Sequence, residues 1–395
     1  MRSLFVTRWA PDRTDGGAAL RNMQNLRALA ALGPVDVVSI GGPESARVVA
    51  GVADWRHFVL PAHSPPLPGA WLAARHHPLI RRHHHAGALA HIRALPRGRY
   101  DIAVVEEIAL AGYIAPLRAA GVPVVFDAHN VEARLRADIA AGGLRSRIMT
   151  HRLGAAEAEA MRTADLIWCC SDVDASLIAT LYRPGAPVTV VPNAVNVGAY
   201  ATALAGQRRR ATEPPRLLYI GTYAYSPNEA AALRLIHDIL PALRLRGLGL
   251  PLALVGRDPT AAMHQAANGD RAIKITGAVP SIVPWLAAPA IVVLPIMQGS
   301  GTRLKILEAF AAGCPVISTA KGAEGIATTA EKNIVLAESN ADFTAAIARL
   351  AADPAARRAL GEAAYHTARA HYSWEAAAER VHIALAHLGA HRKAV

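Results

Sequence analysis

Short apolar runs alternate along the chain with longer stretches in which apolar residues recur every three or four positions. In the first half the runs fall at Ser3–Arg8, Val35–Ile40, Phe58–Leu60, Ile102–Glu106, Val124–Asp127, Leu166–Cys170 and Val188–Val191. Their length and β-branched content predict buried strands. "GGAALRNMQNLRALAALG" shows the intervening type, with Leu20, Met23, Leu26 and Leu29 at helical spacing and Gly33 as the stop. Strand followed by helix, repeated, predicts βαβ units and a parallel sheet. The polar stretch "AGQRRRATEPPR" interrupts this rhythm and reads as a linker. Beyond it the alternation resumes with "RLLYIG", "PLALVG", "AIKITG", "AIVVLPI", "CPVIST" and "NIVLA", and three helical stretches close the chain.

This organisation predicts an α/β protein of two Rossmann-like, doubly wound parallel-sheet domains facing across a crevice. The expected boundaries are 1–200 for the first domain, 201–215 for the linker, 216–372 for the second domain and 373–395 for a terminal helix. A chain of 395 residues suits two domains rather than one.

Composition narrows the function classes. Hydrophobic residues make up 52% of the chain, yet no apolar run approaches the roughly 20 residues of a membrane-spanning helix. The N-terminus meets Arg8, Pro11 and Asp12 before an apolar core accumulates, so it does not read as a signal peptide, and a cytoplasmic location is expected. Cys169, Cys170 and Cys314 lie in apolar surroundings and read as small buried residues. A formal charge of +12 points to anionic partners. Aromatic residues at 5% argue against a nucleic-acid surface, which would interleave them with the cations.

The segment Ala74–Arg99 crowds arginines and histidines among aliphatic residues, with no acidic residue. It reads either as a solvated surface helix or as an amphipathic basic helix lying peripherally on an anionic membrane. Consecutive histidines point in different directions on a helix, so His83–His85 make a poor metal site.

Ligands of doubly wound sheets bind beyond the carboxyl ends of the strands. The loops to inspect are therefore Asp15-Gly16-Gly17, Glu106-Glu107, "FDAHNVEAR", "GTYAYSPN", "VGRDP", "TGAVPS", "MQGSGTR" and "AKGAEG". G-x-G-x-x-G after the first strand, G-x-x-x-x-G-K-[ST] and G-x-S-x-G are all missing, which removes the usual support for a dinucleotide dehydrogenase, a P-loop ATPase and a serine hydrolase. Gly299-Ser300-Gly301 before a helix carrying Arg303 and Lys305 is a different signal. Glycines allow close approach to the backbone, and two cations at the positive end of a helix dipole are stabilised by a bound phosphate.

"GSGTRLKILEAFAAGCPVIST" followed by "GAEGI" resembles the nucleotide-sugar signature of family 4 glycosyltransferases. "FDAHNVEAR" and "CSDVDASLI…VTVVPNAVNV" are similar to that family's N-domain and hinge landmarks. The resemblance implies the GT-B fold, a donor held mainly by the C-terminal domain, a last helix that returns to the N-terminal domain, and chemistry that needs no metal or other cofactor. It also implies transfer of a hexose from a nucleotide diphosphate sugar to an acceptor hydroxyl with retention, and the basic segment Ala74–Arg99 favours a lipid-linked or membrane-proximal acceptor, as in bacterial cell-surface polysaccharide or glycolipid assembly. The partners it implies are a nucleotide-sugar donor and a sugar or lipid-linked acceptor, and no nucleic acid.

Glu308 matches the second glutamate of the family's E-x7-E motif and is expected on the ribose hydroxyls. The first glutamate falls at Ser300, a departure. His129 matches the active-site histidine, so His129 and Glu308 are the catalytic candidates. The expected donor-binding set is Gly17, Gly221, Thr222, Asn228, Gly256, Arg257, Gly301, Thr302, Arg303, Lys305 and Glu308. In "GTYAYSPN" the arginine and lysine common in the family are replaced, and Arg303 with Lys305 is expected to supply the charge for the diphosphate. Glu106, Glu107, Asn130 and Glu132 are candidates for acceptor hydroxyls. Two other readings stay open: a GT-B nucleotide-sugar epimerase, and a sugar-nucleotide sensor without turnover.

Overall fold

The structure, a computed structural model, describes residues 1–13, 16–42, 49–61, 77–139, 143–210, 212–299 and 301–394. Of the residues singled out above, Asp15, Ala74–His76 and Ser300 lie outside them. The chain divides into two compact units: Met1–Asn193 with Ala377–Val395, and Ala194–Ala376.

Unit 1 is built on a seven-stranded sheet of order β3-β2-β1-β4-β5-β6-β7. The strands are β1 (Ser3–Thr7), β2 (Val35–Gly41), β3 (Val52–Val59), β4 (Ile102–Glu106), β5 (Val124–Ala128), β6 (Leu166–Cys169) and β7 (Val188–Val190). Every pairing is parallel. β1, β4, β5 and β6 are buried throughout, as expected of strands covered on both faces. β3 starts six residues before the run Phe58–Leu60, because "VADWR" is a polar edge segment with no apolar signature. One face packs Phe5, Leu26, Leu29, Val35, Val104 and Trp168 against Val381, Ala384 and Leu385 of the last helix, Trp374–Ala394. From Ala377 onward that helix is thus part of unit 1.

Unit 2 carries a six-stranded sheet of order β10-β9-β8-β11-β12-β13. Its strands are β8 (Arg216–Ile220), β9 (Leu252–Val255), β10 (Ile273–Ile275), β11 (Ala290–Leu294), β12 (Val316–Ser318) and β13 (Val335–Leu336), again all parallel. The stretch expected as a linker is largely the helix Ala201–Arg209, whose Ala203 and Leu204 pack inward. Its arginines, which suggested a loop, occupy the other side.

In both sheets the order reverses beside the first strand, between β1 and β4 and between β8 and β11. Helices leave to opposite faces there, which opens a crevice at the carboxyl ends of the strands. Glu106 ends β4, and Gly221 follows β8.

The basic segment does not form a free amphipathic helix. Its described part makes two short helices, Pro78–Arg82 and Ala86–Arg93, and Ile80, Ala88, Leu89, Ile92 and Leu95 join the core. These apolar side chains are therefore spent on packing, while Arg81, Arg82, Arg93 and Arg97 face outward. The histidines serve the backbone: His77 and His85 accept from the amides of Leu79 and Ala88 at the two helix starts, and His83 Nδ1 bonds the Leu79 carbonyl. All three cysteines are buried thiols.

Candidate active site

Unit 1 assembles a buried charge cluster at its reversal point. The helix Gly17–Ala30 follows β1 and turns Arg21, Asn22, Gln24 and Asn25 inward, all buried. Arg21 forks onto Asp127 at the end of β5, with Nε 2.8 Å from Oδ2 and Nη2 2.5 Å from Oδ1. Its Nη1 donates to the Val191 carbonyl at 2.8 Å and to Asn193 Oδ1 at 3.1 Å. Asn25 Nδ2 donates to Asp127 Oδ2 at 2.8 Å and Glu106 Oε1 at 3.3 Å. His129, two residues past Asp127, places Nε2 2.5 Å from Glu106 Oε2 and 3.3 Å from Asp127 Oδ2.

Burial and the negative charge of Asp127 push the Glu106 carboxyl up to about 8. Burial would also raise Asp127, but the Arg21 charge and the His129 hydrogen bond overcome it and hold Asp127 below the ordinary carboxylate range. For His129, burial pulls downward, and hydrogen bonds to Asp127 and Glu106 outweigh it, raising the imidazole to about 10. Glu106 is fully buried beneath this ring, which corrects the expectation that it meets an acceptor. Glu107 is its exposed-side neighbour. It holds the sparsely populated backbone conformation φ 66, ψ 153, the kind of strain that clusters at functional sites. Trp9 Nε1 donates to its Oε1 and Arg8 Nη1 pairs with its Oε2, both at 3.2 Å, and Oε1 lies 3.7 Å from His129 Nδ1.

The other two acceptor candidates sit at the start of the helix Glu132–Ile139. Asn130 Nδ2 donates to Glu132 Oε1. Sequence reasoning missed the residue that organises this corner: Glu157, buried in the helix Leu144–Thr163, accepts from the amides of Glu132 and Ala133 and from the Tyr182 hydroxyl. Gly17 is the first helical residue, and the left-handed conformation falls one position earlier, at Gly16 (φ 130).

Among the described residues, one group of three or more metal-ligand side chains converges: Glu106, Asp127 and His129. Arg21 and Asn25 already use the Asp127 oxygens, and His129 Nε2 already uses Glu106 Oε2. The donor set fits an ion cluster better than a metal centre.

Unit 2 gathers its candidates at the matching point. Gly256 (φ 144), after β9, lies so close to Gly221 that a Cβ on it would stand 1.7 Å from the Gly221 carbonyl oxygen. Asn228, in the helix Ser226–Arg234, donates to the Thr222 carbonyl at 2.9 Å and accepts from the Tyr219 hydroxyl at 2.8 Å and from Lys305 Nζ at 2.7 Å. Lys305 belongs to the helix Leu304–Ala311, and its ammonium lies 4.6 Å from the centre of the Tyr219 ring. Burial and then the charge of Arg303 lower its pKa to about 7. A Cβ on Gly221 would meet this same ammonium at 3.2 Å, so the cation lies directly over the glycine backbone.

Arg303 behaves differently from Lys305. It folds back to donate from Nη1 to the Gly301 carbonyl at 2.9 Å, and its Nη2 lies against the Gly299 loop. Thr302 buries its Oγ1 with no hydrogen-bond partner among the described residues. The Arg257 side chain is exposed, while its carbonyl accepts from the Tyr223 amide. Glu308 accepts from the Tyr200 hydroxyl at 3.0 Å, and burial raises its carboxyl to about 7. Tyr200 and Tyr219 were not expected at the site. Tyr219 lies within the continuous apolar run of β8 and is fully buried, and its hydroxyl and ring reach Asn228 and Lys305.

Two parallel, doubly wound units with charged and glycine-lined strand ends are the elements of the GT-B fold. A family model described as Glycosyltransferase Family 4 matches residues 15–198, and one described as Glycosyl transferases group 1 matches residues 214–353. Between them they span most of the chain, which belongs to the family 4-like glycosyltransferases. Solved structures similar in fold include the sucrose-phosphate synthase of Thermosynechococcus elongatus, 20% identical, with 99% of this chain and 100% of that one covered and a TM-score of 0.75. Alr3699/HepE from Anabaena in complex with UDP-glucose is similar at 15% identity, with 98% and 99% covered and a TM-score of 0.67. WaaG, a glycosyltransferase involved in lipopolysaccharide biosynthesis, is similar at 16% identity, with 95% and 98% covered and a TM-score of 0.64. No curated protein matches the chain by sequence.

Proposed function

We propose that this glycosyltransferase moves a hexose from a nucleotide diphosphate sugar to an acceptor hydroxyl with retention at the anomeric carbon. Unit 2 holds the nucleotide diphosphate. Gly221 and Gly256 let the phosphates approach the backbone, Lys305 and the helix start behind it neutralise the charge that grows on the leaving diphosphate, and Glu308 takes the ribose hydroxyls. Fixed cations and dipoles aimed at a developing charge are worth more in a water-poor site than in solution. Unit 1 contributes His129 and Glu107 to sugar hydroxyls. The observation that carries this reading is the Lys305 ammonium, poised over the Gly221 backbone with only neutral hydrogen-bond partners among the described residues. A cation so placed is completed by an anion.

The donor pool suggested by a fold neighbour is uridine-based, since Alr3699/HepE carries UDP-glucose. A role in bacterial polysaccharide or glycolipid assembly is in keeping with what WaaG is named for. No helix among the described residues is long and apolar enough to cross a membrane. Contact with an anionic leaflet would be purely electrostatic, through exposed cations such as Arg81, Arg82, Arg93 and Arg97. Loss of binding to anionic vesicles in 0.5 M salt, with retention at low salt, is the expected signature, and no binding at low salt removes the membrane partner.

The test of the main reading is a thermal-shift screen with UDP, GDP, ADP and their sugar conjugates, with and without EDTA. A ligand at a hundred times its Kd stabilises the folded state by about 2.7 kcal/mol. One base is expected to give a shift that EDTA leaves intact, and anomeric proton NMR of the product then reads the stereochemistry. No shift with any of the three bases overturns the reading.

A further inference from the structure

We propose that Glu106 and Asp127, the latter clamped by Arg21, are positioning residues that hold His129 as a fixed imidazolium, so that this ring serves as a cation and Nδ1–H donor and not as a proton-accepting base. The inference deepens the functional reading and rests on it for the placing of His129 in the active site.

The argument is one of charge and geometry. Arg21, Asp127 and Glu106 have side chains 1%, 0% and 0% exposed, and His129 is 10% exposed. Asp127 at that depth is ionised and paired, whereas Glu106, pushed up to about 8, can ionise there only against a second cation, because an unpaired buried charge is costly. Arg21 supplies the first, through both oxygens of Asp127. The only other cation that reaches the pair among the described groups is the ring of His129, whose Nε2 lies within 3.3 Å of both carboxylates. A neutral ring would leave an ionised Glu106 bonded only to neutral groups, the ring N–H and the Asn25 amide.

The rest of the ring's surroundings agree. Glu107, at the end of β4, faces Nδ1 at 3.7 Å and is itself paired with Arg8 at the end of β1. From the end of β6, Cys170 presents a thiol to the His129 carbonyl, and burial keeps that thiol protonated. From the helix Gly17–Ala30 the one charged group in the cluster is Arg21, which is committed to Asp127. A positively charged ring raised to about 10 follows.

A base and an imidazolium give opposite readings. On the full chain labelled at histidine with 15N, and with the ring assigned by the absence of its signals in His129→Gln, both ring nitrogens of His129 are expected to stay protonated at pH 8. In Glu106→Gln the ring is expected to titrate at least one pH unit lower. A neutral tautomer at pH 8 in the wild-type protein overturns the proposal, as does a ring whose titration is unmoved by Glu106→Gln. If Glu106→Gln fails to fold, the wild-type spectrum decides alone. With UDP-glucose as the donor probe, release of UDP by Glu106→Gln is expected to fall as pH rises through the lowered value; a fall on acidification instead would mark a base and overturn it. Should UDP-glucose not turn over at all, the functional reading suffers while the spectrum still decides the state of the ring.

Discussion

Replacing Lys305 with methionine separates the two jobs that a half-buried cation can do. Its hydrogen-bond partners are the Asn228 amide oxygen at 2.7 Å and the Tyr219 hydroxyl at 3.3 Å, neither of them an anion. Burial and Arg303 bring its pKa from 10.5 to about 7. The folded value lies below the unfolded one, so the charged lysine costs stability at acid and neutral pH, and the cost fades as pH rises toward 10.5. At about 1.4 kcal/mol per pH unit, it amounts to a few kcal/mol. Methionine keeps the aliphatic stem and removes the charge. Lys305→Met is therefore expected to melt no lower than wild type at pH 6.5, with the gain in the unfolding of unit 2. Nucleotide affinity should move the other way. A charge-assisted hydrogen bond is worth about 1.5–3 kcal/mol, which converts to roughly ten- to hundredfold weaker UDP binding in calorimetry. Wild-type binding at pH 8 should also take up a proton, visible as a binding enthalpy that changes with the buffer. Unchanged UDP affinity in Lys305→Met refutes the assignment to the diphosphate. A melting temperature that falls along with affinity refutes the claim that the charge is a cost carried for function.

Gly256→Ala places a Cβ 1.7 Å from the Gly221 carbonyl oxygen at φ 144, and such a clash with strained backbone should cost at least about 2–4 kcal/mol in denaturant unfolding. Tyr200→Phe removes a hydrogen bond that favours ionised Glu308, so UDP affinity at pH 7 should fall several-fold and recover at pH 8.5, where the carboxyl is ionised regardless. Glu157→Ala orphans two helix-start amides and the Tyr182 hydroxyl, and at about 1–3 kcal/mol for each unsatisfied buried group it should lower the stability of unit 1 by several kcal/mol. His129 is raised from 6.5 to about 10 in the folded state. Its contribution to stability is thus complete below pH 6.5 and lost as pH rises through 10, a slope that urea unfolding should show in the wild type and not in His129→Gln.

The strands and their parallel order of use were legible because a strand buried on both faces has no alternation to hide: "IAVV", "VPVVFDA" and "AIVVLPI" announce themselves. The family signature likewise lies in contiguous residues, from Gly299 to Thr319. What the sequence could not express is which side of a helix a polar residue faces. In "LRNMQNLRALA" the apolar positions form a stripe, and Arg21, Gln24 and Asn25 form another at the same helical spacing. A solvated polar stripe and a buried one look alike in one dimension. Only the fold, by bringing the ends of β4 and β5 under that helix, turned the second stripe inward and made it the floor beneath His129. The same holds for Glu106, a strand-end carboxylate that turns inward, and for Tyr219, a buried core residue whose hydroxyl and ring reach Asn228 and Lys305. Hydrophobic periodicity determined the sheets and their carboxyl ends; the pairing of charges across sequence distances of 106 and 23 residues, Arg21 with Asp127 and Glu106 with His129, was decided by tertiary packing, because burial removes the water that would otherwise have left those groups apart.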